Sequence, residues 1–324
     1  MESNRLDISI IVPLFNEAES LPELAAWIER VCRAEGLSHE VIFVDDGSTD
    51  GSWGVVEGLA LADAAGGGVV RGIKFSRNYG KSAALYAGFE AAEGEVVITM
   101  DADLQDSPDE IPELRRMVVE EGYDLVSGWK KQRHDPVSKR LPSKFFNATT
   151  RLVSGIRLHD MNCGLKAYRR AVVKSIEVYG EMHRYIPILA RQAGFTRIGE
   201  KVVEHRARRY GSSKYGIERM VKGYLDLVTV SFMARFGRHP MYLFGSLGTL
   251  MFVAGFVTAV WLIVEKLVKQ ARGLPLRIVA DQPMFYVAIV TLVLGVMLFL
   301  TGFLGELVIR NAADRNKYSK DKTL

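Results

Sequence analysis

The sequence predicts an α/β domain with a mostly parallel sheet, followed by a C-terminal hairpin of two membrane-spanning helices. In the first ~130 residues, short β-rich runs alternate with helical patterns, as parallel strands and their crossover helices do. Further along, residues 240–264 and 282–305 carry no charged side chain. Each stretch is long enough to cross a bilayer, which takes about 20 helical residues. The alternative is a pair of buried helices in a soluble protein, but such helices are rarely apolar on all sides for this length.

Short apolar runs bounded by turn residues mark the strands of the predicted sheet. The strands are Ile8–Val12, Val41–Val44, Val69–Phe75, Val96–Met100 and Asp124–Ser127, and Gly164–Tyr168 is a further candidate. The helices are Glu19–Arg33, Ser82–Ala92 and Pro108–Glu120, with another helix after Asp46-Gly47-Ser48. Val41–Val44 is apolar throughout, which is typical of a central strand buried on both faces. Asn16 or Ser20 is expected to cap the first helix.

Unusual residues, most of them polar, follow the ends of five predicted strands. These clusters are Pro13, Asp45-Asp46, Ser76-Arg77-Asn78, Asp101–Asp103 and Trp129-Lys130. Open α/β sheets bind ligands outside the carboxyl ends of their strands. The sequence therefore predicts one binding site at this edge, built from several strands.

Asp101 and Asp103 are the leading candidates for metal ligands. Alternate residues of a strand point the same way, so two carboxylates at this spacing can be presented together. Hard oxygen ligands of this kind suit Mg²⁺ or Mn²⁺ shared with substrate phosphates, and Gln105 or Asp106 could complete the ligand set. The alternative is a plain acidic turn, in which Asp106 or Ser107 caps the helix that begins at Pro108.

A nucleotide is expected to be held by side chains and by the metal. The sequence contains neither a GxxxxGK[ST] loop nor a strand-linked GxGxxG, and Gly66-Gly67-Gly68 is interpreted as an ordinary loop. Asp46 could accept hydrogen bonds from a nucleobase or a ribose. An Asx turn into Gly47 is its alternative role, and Glu17 after Asn16 has the same ambiguity.

Basic side chains could bind the phosphates of such a nucleotide, because Arg grips phosphate oxygens as a fork and Lys acts as a point charge. The candidates are Lys130, Lys131, Arg133, Arg140, Lys166, Arg208 and Lys214. The alternative is a solvated basic face attracted to anionic lipid.

Composition excludes several other classes of protein. The formal net charge of +4 falls short of the dense basic stripe of a nucleic-acid binder, so no nucleic acid is expected as a partner. Cys32 and Cys163 lie far apart, which suggests neither a zinc site nor a disulfide framework. The apolar run Ile8–Leu14 is too short for a secretory signal, so the N-terminal domain is expected to stay in the cytosol.

The expected domains are a catalytic domain at 1–215, an interfacial helix at 216–238, two spans at about 240–264 and 283–309 within 239–310, and a basic cytosolic tail at 311–324. The 217–236 segment has apolar residues opposite Arg219 and Lys222, so it fits an interfacial helix or an ordinary core-facing one. The loop between the spans and the C-terminal tail carry similar numbers of basic residues, so these two segments alone do not indicate the orientation in the membrane. Arg235 and Arg238 favour a multi-pass protein of the inner or plasma membrane with its catalytic domain facing the cytoplasm.

Four ordered motifs resemble inverting family 2 glycosyltransferases. They are Ile8–Glu17 (ISIIVPLFNE), Val44–Asp50 (VDDGSTD), Phe75–Lys81 (FSRNYGK) and Met100–Pro108 (MDADLQDSP). Asp160–Arg169 (DMNCGLKAYR) and Arg208–Lys214 (RRYGSSK) are similar to later motifs of the polyprenyl-phosphate branch, which includes dolichol-phosphate mannose synthases. The two-span anchor resembles that of bactoprenol glucosyltransferases. The resemblance implies a nucleotide-sugar-binding, GT-A-like fold.

The resemblance also implies roles for the matching positions. The nucleoside pocket would be lined by Pro13, Phe15, Glu17, Val44 and Asp46, with Ala102 beside the nucleotide. The metal would be held by Asp101, Asp103 and Gln105, and the diphosphate by Lys166, Arg208 and Lys214. Lys130 and Arg133 would receive the acceptor phosphate. Lys130 and Lys166 stand where many relatives have Arg.

The implied reaction is inverting, metal-dependent transfer of a sugar from a UDP- or GDP-linked donor to undecaprenyl or dolichyl phosphate, for modification of cell-envelope glycans. A lipid phosphate is already an anionic nucleophile, so orientation and electrostatic stabilisation would carry catalysis. Two alternatives stay open: a processive polysaccharide synthase, although the Q-x-x-R-W motif is missing, and a non-catalytic nucleotide-sugar-binding protein. Paired spans often associate further, so a homo-oligomer is also an expectation.

Overall fold

The computed structural model describes residues 6–63, 69–131, 150–151, 154–206, 239–275 and 278–310, with a few single residues between 225 and 236. The chain divides into two units, Met1–Ser231 and Phe232–Leu324. The predicted interfacial helix lies largely outside the described residues. The glycine loop at 66–68 and the basic tail at 311–324 lie wholly outside them.

Within the described part of the first unit, seven strands form one sheet. The strands are β1 (Ile8–Leu14), β2 (His39–Asp45), β3 (Val69–Lys74), β4 (Val96–Thr99), β5 (Leu125–Trp129), β6 (Lys166–Arg169) and β7 (Ile198–Val202). Their order across the sheet is β3-β2-β1-β4-β6-β5-β7. The neighbours from β3 to β4 are parallel, β6 is antiparallel to both β4 and β5, and β7 is parallel to β5. The predicted mostly parallel sheet is confirmed, and β7 is an additional strand.

Helices connect these strands. They are α1 (Leu21–Ala34), α2 (Ser52–Asp63), α3 (Lys81–Ala91), α4 (Ile111–Val119), α5 (Arg170–Val173) and α6 (Ile186–Gln192). The predicted helix from Pro108 is instead a 3₁₀ turn, Pro108–Glu110, followed by α4. Ser20 takes the N-cap position of α1, which confirms one of the two predicted caps, although its hydroxyl donates to the Glu17 carbonyl at 3.0 Å and not to the helix.

Apolar side chains of the sheet alternate between two buried layers. Ile10 and Val12 face one side and pack with Ile28 of α1 and Leu114 of α4. Ile11 faces the opposite side, where the second layer contains Ile42, Phe89, Tyr168 and Tyr185. Full burial of such a side chain stabilises the fold by roughly 1.5–3 kcal/mol. The two layers fix the strand ends that carry the polar residues.

The second unit contains a pair of long apolar helices, α7 (Pro240–Ala271) and α8 (Pro283–Arg310). Both are long and apolar enough to cross a membrane, and only 17% of the most apolar stretch of each is buried. A soluble core helix would be mostly buried, so this exposure favours a lipid environment. The first helix continues beyond its predicted end, through the charged residues before Ala271.

Glycines allow the two helix backbones to approach closely. A Cβ on Gly248 would lie 2.7 Å from the Gly295 carbonyl oxygen, and one on Gly255 would lie 2.8 Å from that of Ala288. Helices in membranes use small residues for this kind of close packing. The glycines explain how α7 and α8 form the predicted hairpin.

Candidate active site

The carboxyl ends of β1, β2 and β4 meet at one edge of the sheet. Leu14 at the end of β1 pairs with Asp45 at the end of β2, and Ile11 pairs with Thr99 at the end of β4. The loops that leave these strands therefore begin side by side. They carry the residues predicted to bind a nucleotide and a metal.

Asp46 ties the loop after β2 to the loop before α3. Its carboxylate accepts the backbone N–H groups of Tyr79 at 2.7 Å and Gly80 at 2.9 Å. Burial raises the pKa of Asp46, and the nearby charge of Asp45 adds to this effect, although the two backbone bonds oppose it. The turn itself is stabilised by Asp45, whose Oδ1 accepts the N–H of Ser48, three residues on, at 2.8 Å.

Gly47 explains why these two loops fit so closely. Its φ is +72°, in the left-handed region that favours glycine, and any Cβ there would overlap the main chain of Arg77 and Asn78. The VDDGSTD and FSRNYGK motifs, about 30 residues apart in the chain, thus form one packed unit. This contact holds the two loops together at the edge where a nucleoside is predicted to bind.

The loop after β1 is fastened to the same unit. Asn16, which also has a left-handed backbone with φ of 59°, accepts the N–H of Thr49 through its side chain at 2.8 Å. The N–H of Glu17 donates to the Ser52 hydroxyl at 2.9 Å. The Ser20 hydroxyl, which donates to the Glu17 carbonyl, also lies 3.3 Å from the Glu17 carboxylate.

The other residues predicted for the nucleoside pocket differ in accessibility. Pro13 and Phe15 are partly exposed at this edge, whereas Val44 is fully buried in the core. Ala102 is also buried. Val44 is therefore a core residue that packs beneath this edge and is not itself accessible.

Asp101 and Asp103 are both accessible in the turn that follows β4. Asp101, Asp103 and Gln105 are partly exposed, while Ala102 and Leu104 are each only 4% exposed. Exposure alternates along this segment, but β4 already ends at Thr99 and residues 102–104 form a turn, so the common direction of the two carboxylates stays a prediction.

Leu104 adopts a left-handed backbone with φ of 60°, a conformation that costs about 1–2 kcal/mol for a residue with a Cβ. This conformation accompanies burial of the Leu104 side chain and a bond from the Gln105 N–H to the Asp103 carboxylate at 3.2 Å. Backbone strain of this kind concentrates at functional sites. It shapes the turn that presents the two carboxylates.

Three lysines surround the first carboxylate. Lys81 forms an ion pair with Asp101, Lys130 lies 2.7 Å from Asp106, and Lys166 donates to the carbonyl of Cys163. Burial raises the pKa of Asp101, but the ammonium groups of Lys81, Lys130 and Lys166 outweigh this effect and hold the pKa at about 2. Asp101 is therefore an anion at any physiological pH.

The two predicted phosphate-binding lysines have opposite electrostatic surroundings. Burial alone would lower the pKa of Lys130, but the Asp106 carboxylate raises it above the ordinary lysine value. Burial lowers the pKa of Lys166. Lys130 is consequently a fixed positive charge near Asp101, the first of the candidate metal ligands.

Gly164 allows the DMNCGLKAYR segment to lie against Asp101. A Cβ at this position would overlap the Asp101 carboxylate, and the Gly164 carbonyl accepts the Thr99 hydroxyl at 2.9 Å. Neither Gly164 nor Lys81 was among the predicted site residues. Both residues contact Asp101 from a distant part of the chain, so local sequence patterns do not indicate these contacts. The only indication in the sequence was that Lys81 and Gly164 lie within the FSRNYGK and DMNCGLKAYR motifs.

The segment after β7 also joins the site. Asp106 forms a β-bridge with His205, and the Arg206 N–H donates to the Gln105 carbonyl at 3.0 Å. The capping alternative is confirmed for the position of Ser107, which is the N-cap residue before Pro108, although its hydroxyl donates to the Asp109 carboxylate at 3.1 Å. Asp106 is instead buried beside Lys130. The predicted residues Arg133, Arg140, Arg208 and Lys214 lie outside the described residues.

The donor set fits a divalent cation of the magnesium type. In the part of the chain that the structure describes, no three His, Cys, Asp or Glu side chains are grouped as a metal site. Mg²⁺ usually needs only one or two carboxylates, since waters and substrate phosphates supply its other ligands. Asp101 and Asp103, with the neighbouring Gln105 amide, meet that requirement.

Comparison with known proteins agrees with the motifs. Residues 9–177 match the family described as Glycosyl transferase family 2. The chain belongs to this family. The resemblance inferred from the four motifs is confirmed, and with it the class of enzyme, a glycosyltransferase.

Relatives of this glycosyltransferase match over nearly its full length. The dodecaprenyl-phosphate galacturonate synthase of Rhizobium johnstonii is 36% identical over 316 residues, covering 94% of this chain and 88% of that protein. The undecaprenyl-phosphate 4-deoxy-4-formamido-L-arabinose transferase of Pseudomonas paraeruginosa is 37% identical over 309 residues, covering 95% and 86% respectively. The similarity thus extends through the hairpin.

Solved structures support the fold of this glycosyltransferase. Glucosyl-3-phosphoglycerate synthase from Mycobacterium tuberculosis, in complex with Mn²⁺, UDP-glucose and glycerol 3-phosphate, superposes with a TM-score of 0.53 at 19% identity. The match covers 71% of this chain and 80% of that one. The expected GT-A-like fold is confirmed.

Proposed function

We propose that this glycosyltransferase moves a sugar, with inversion, from a UDP- or GDP-linked donor to a polyprenyl phosphate. The product would be a polyprenyl-phosphate-linked monosaccharide used in cell-envelope glycan modification. One observation carries the proposal: the charges of Lys81, Lys130 and Lys166 surround Asp101, and both Asp101 and Asp103 are partly exposed at the carboxyl edge of the sheet. The two full-length relatives support the lipid acceptor, because both are named for a polyprenyl phosphate.

The donor would bind at the carboxyl edge of the sheet. Its nucleoside would contact Pro13, Phe15, Glu17 and Asp46, in a pocket supported by Val44 and Ala102. Its diphosphate would contact Lys166, Arg208 and Lys214. Asp101, Asp103 and Gln105 would hold Mg²⁺ or Mn²⁺, which when bound supplies countercharge to the departing diphosphate.

Lys130 would orient the acceptor, together with Arg133. The raised pKa keeps Lys130 protonated, and the ion pair with Asp106 fixes its position. A phosphate anion attracted there is itself the nucleophile, so the chain need not supply a strong general base. Orientation and fixed positive charge would then account for catalysis.

The expected domain arrangement follows the same proposal. Residues 1–215 would form the catalytic domain on the cytoplasmic side, and 216–238 an interfacial helix that receives the lipid phosphate. The helices within 239–310 would form a multi-pass anchor, with 311–324 as a basic cytosolic tail. Helix exposure in the second unit supports the anchor.

The test is a transfer assay with the full chain in detergent. Radiolabelled UDP- and GDP-sugars would be supplied with undecaprenyl phosphate, with and without Mg²⁺ or Mn²⁺. We expect one labelled lipid product, dependent on the cation, and loss of at least 100-fold in rate for Asp103→Asn, as for other losses of transition-state charge stabilisation. Glu177→Gln, which removes an exposed carboxylate, is the matched control.

Three outcomes would contradict the proposal. If Asp103→Asn transferred sugar at the wild-type rate, Asp103 would not be a ligand of a catalytic metal. A long polymeric product would favour a processive polysaccharide synthase. Nucleotide-sugar binding without any turnover would favour a non-catalytic binding protein.

A further inference from the structure

Lys81 contacts the carboxylate that is proposed to hold the metal. Its Nζ pairs with Oδ1 of Asp101, and the two side chains are 29% and 32% exposed. Lys130 and Lys166 also act on Asp101, but their own close partners are Asp106 and the Cys163 carbonyl. Lys81 is therefore the lysine in direct contact with this ligand oxygen.

The main chain around Lys81 is held from both sides. On one side, the Asp46 carboxylate binds the N–H groups of Tyr79 and Gly80. On the other, the Ser82 hydroxyl lies 2.9 Å from Nδ1 of His183 and accepts the His183 N–H at 3.1 Å. Ser82 is buried, so the start of α3 is anchored while the Lys81 side chain extends into the site.

These contacts link the two halves of the proposed donor site. Asp46 belongs to the nucleoside pocket, and Asp101 belongs to the metal site. Asp46 accepts the N–H of Gly80, the residue before Lys81. The ammonium group of Lys81 pairs with Asp101. A phosphate between nucleoside and metal would lie within the reach of a flexible lysine side chain.

We propose that the Lys81 ammonium competes with the divalent cation for Asp101, and that it binds the donor diphosphate when the cation holds this carboxylate. The inference rests on the proposed function. An ammonium and a divalent cation cannot both sit close to one carboxylate oxygen without repelling each other. A diphosphate offers the displaced ammonium a new anionic partner of high charge.

The competition predicts opposite changes in two binding constants. In Lys81→Met, Mn²⁺ alone should bind about tenfold more tightly, because a competing positive charge has been removed. The nucleoside diphosphate, in saturating Mn²⁺, should bind about tenfold more weakly, because one phosphate contact has been lost. A variant that merely disturbed the site would weaken both.

The experiment uses the full chain in detergent. Free Mn²⁺ is measured by electron paramagnetic resonance, and UDP and GDP binding by calorimetry at saturating Mn²⁺, with whichever nucleotide the wild type binds. Lys81→Arg keeps the charge and should keep Mn²⁺ affinity within about threefold of wild type. Lys174→Met is the matched control, because the Lys174 ammonium bonds to the carbonyls of Phe89 and Glu90 at the other end of α3.

The possible results separate the two proposals. Asp103→Asn tests the metal site itself: if wild type and Asp103→Asn bind Mn²⁺ equally, or the wild type binds neither nucleotide, the proposed function fails. If Mn²⁺ binding needs Asp103 but Lys81→Met binds it no more tightly than wild type, only the role of Lys81 is wrong. Two other results would also overturn that role. One is a Mn²⁺ affinity of Lys81→Arg as changed as that of Lys81→Met, and the other is tighter Mn²⁺ binding by Lys174→Met. Melting temperatures of all variants check that each is folded.

Discussion

The Nζ of Lys130 lies 2.7 Å from Oδ1 of Asp106, and the Asp106 side chain is completely buried. Lys130 itself is 13% exposed. Removing one partner of a buried ion pair leaves the other charge in an environment of low polarity. The pair therefore serves both the stability of the fold and the position of the ammonium group.

Asp106→Ala should destabilise the catalytic unit by roughly 3–5 kcal/mol, because it leaves Lys130 buried without its countercharge. The measurement is thermal unfolding of the full chain in detergent. Arg33→Ala is the control, since the Arg33–Glu29 pair is exposed and such pairs contribute about 0–1 kcal/mol. Equal losses in the two variants would show that Asp106 does not stabilise the fold through this buried pair.

Gly164→Ala should damage activity far more than stability. The added methyl group would overlap the Asp101 carboxylate and push it aside. A displacement of about 1 Å at a catalytic group can lower the rate about 100-fold, while a local overpacking costs about 1–3 kcal/mol. Steady-state transfer rates and melting curves measure the two effects.

A second glycine provides the control for Gly164. Gly58 lies within α2, and a Cβ there would meet nothing within 4 Å. Gly58→Ala should therefore stabilise the helix by about 0.5–1 kcal/mol and leave the transfer rate unchanged. Wild-type activity in Gly164→Ala would mean that Asp101 can move without loss of function.

Asp7 should contribute a pH-dependent part of the stability. Burial is the largest single influence and raises its pKa, but the hydrogen bonds from Ser38 and Arg115 and the charge of Arg115 together outweigh it and lower the pKa below its ordinary value. Stability from such a group is fully present above the unfolded pKa of about 3.9 and is lost as pH falls through the folded value. Asp7→Asn should therefore melt a few degrees below wild type at pH 7, and the difference should begin to shrink below about pH 4 and vanish below the folded pKa.

Convergence of the two melting temperatures at low pH would show that the charge of Asp7, and not its packing, accounts for the difference. Asp7 bonds to the hydroxyl and the N–H of Ser38. Ser38→Ala is a useful comparison, because it removes one hydrogen bond and leaves the carboxylate to titrate. A constant difference between wild type and Asp7→Asn from pH 7 to pH 3 would contradict a role for the lowered pKa.

Gly295→Leu should separate the two helices of the hairpin. A Cβ at Gly295 would already come within 2.7 Å of the Gly248 carbonyl oxygen, so a larger side chain cannot fit without moving α7. Cysteines introduced on facing turns of α7 and α8 should then crosslink less efficiently in membranes. Leu250→Val, on an exposed face, should leave crosslinking unchanged, and efficient crosslinking in Gly295→Leu would contradict the close glycine contact.

The apolar pattern of the sequence predicted the central strands well, because β1, β2 and β4 are buried and bounded by turn residues. It did not predict β7, whose Ile198–Val202 segment is an edge strand with partly exposed residues and a lysine. The antiparallel direction of β6 was also not readable from the sequence. It depends on the course of the chain between β5 and Lys166, which local periodicity does not encode.

The sequence was sufficient to name those candidate site residues whose side-chain chemistry alone suggests a role. The carboxylates Asp101 and Asp103 and the lysines Lys130 and Lys166 were named from their chemistry. Lys81 and Gly164 were not, because each acts through Asp101, a contact between residues that are distant in the chain. Only the fold shows which lysine and which glycine meet that carboxylate.

The close fit of Gly47 against the main chain of Arg77 and Asn78 limits how this enzyme can be redesigned or diversify. The two loops share one surface with no room for an extra carbon atom, so they must be exchanged as a pair. A chimera that takes its DDG loop from a donor enzyme of different nucleotide preference, but keeps its own SRNYG loop, would bring together two surfaces that were never matched. Changes of donor preference in this lineage should therefore appear as paired substitutions in both loops.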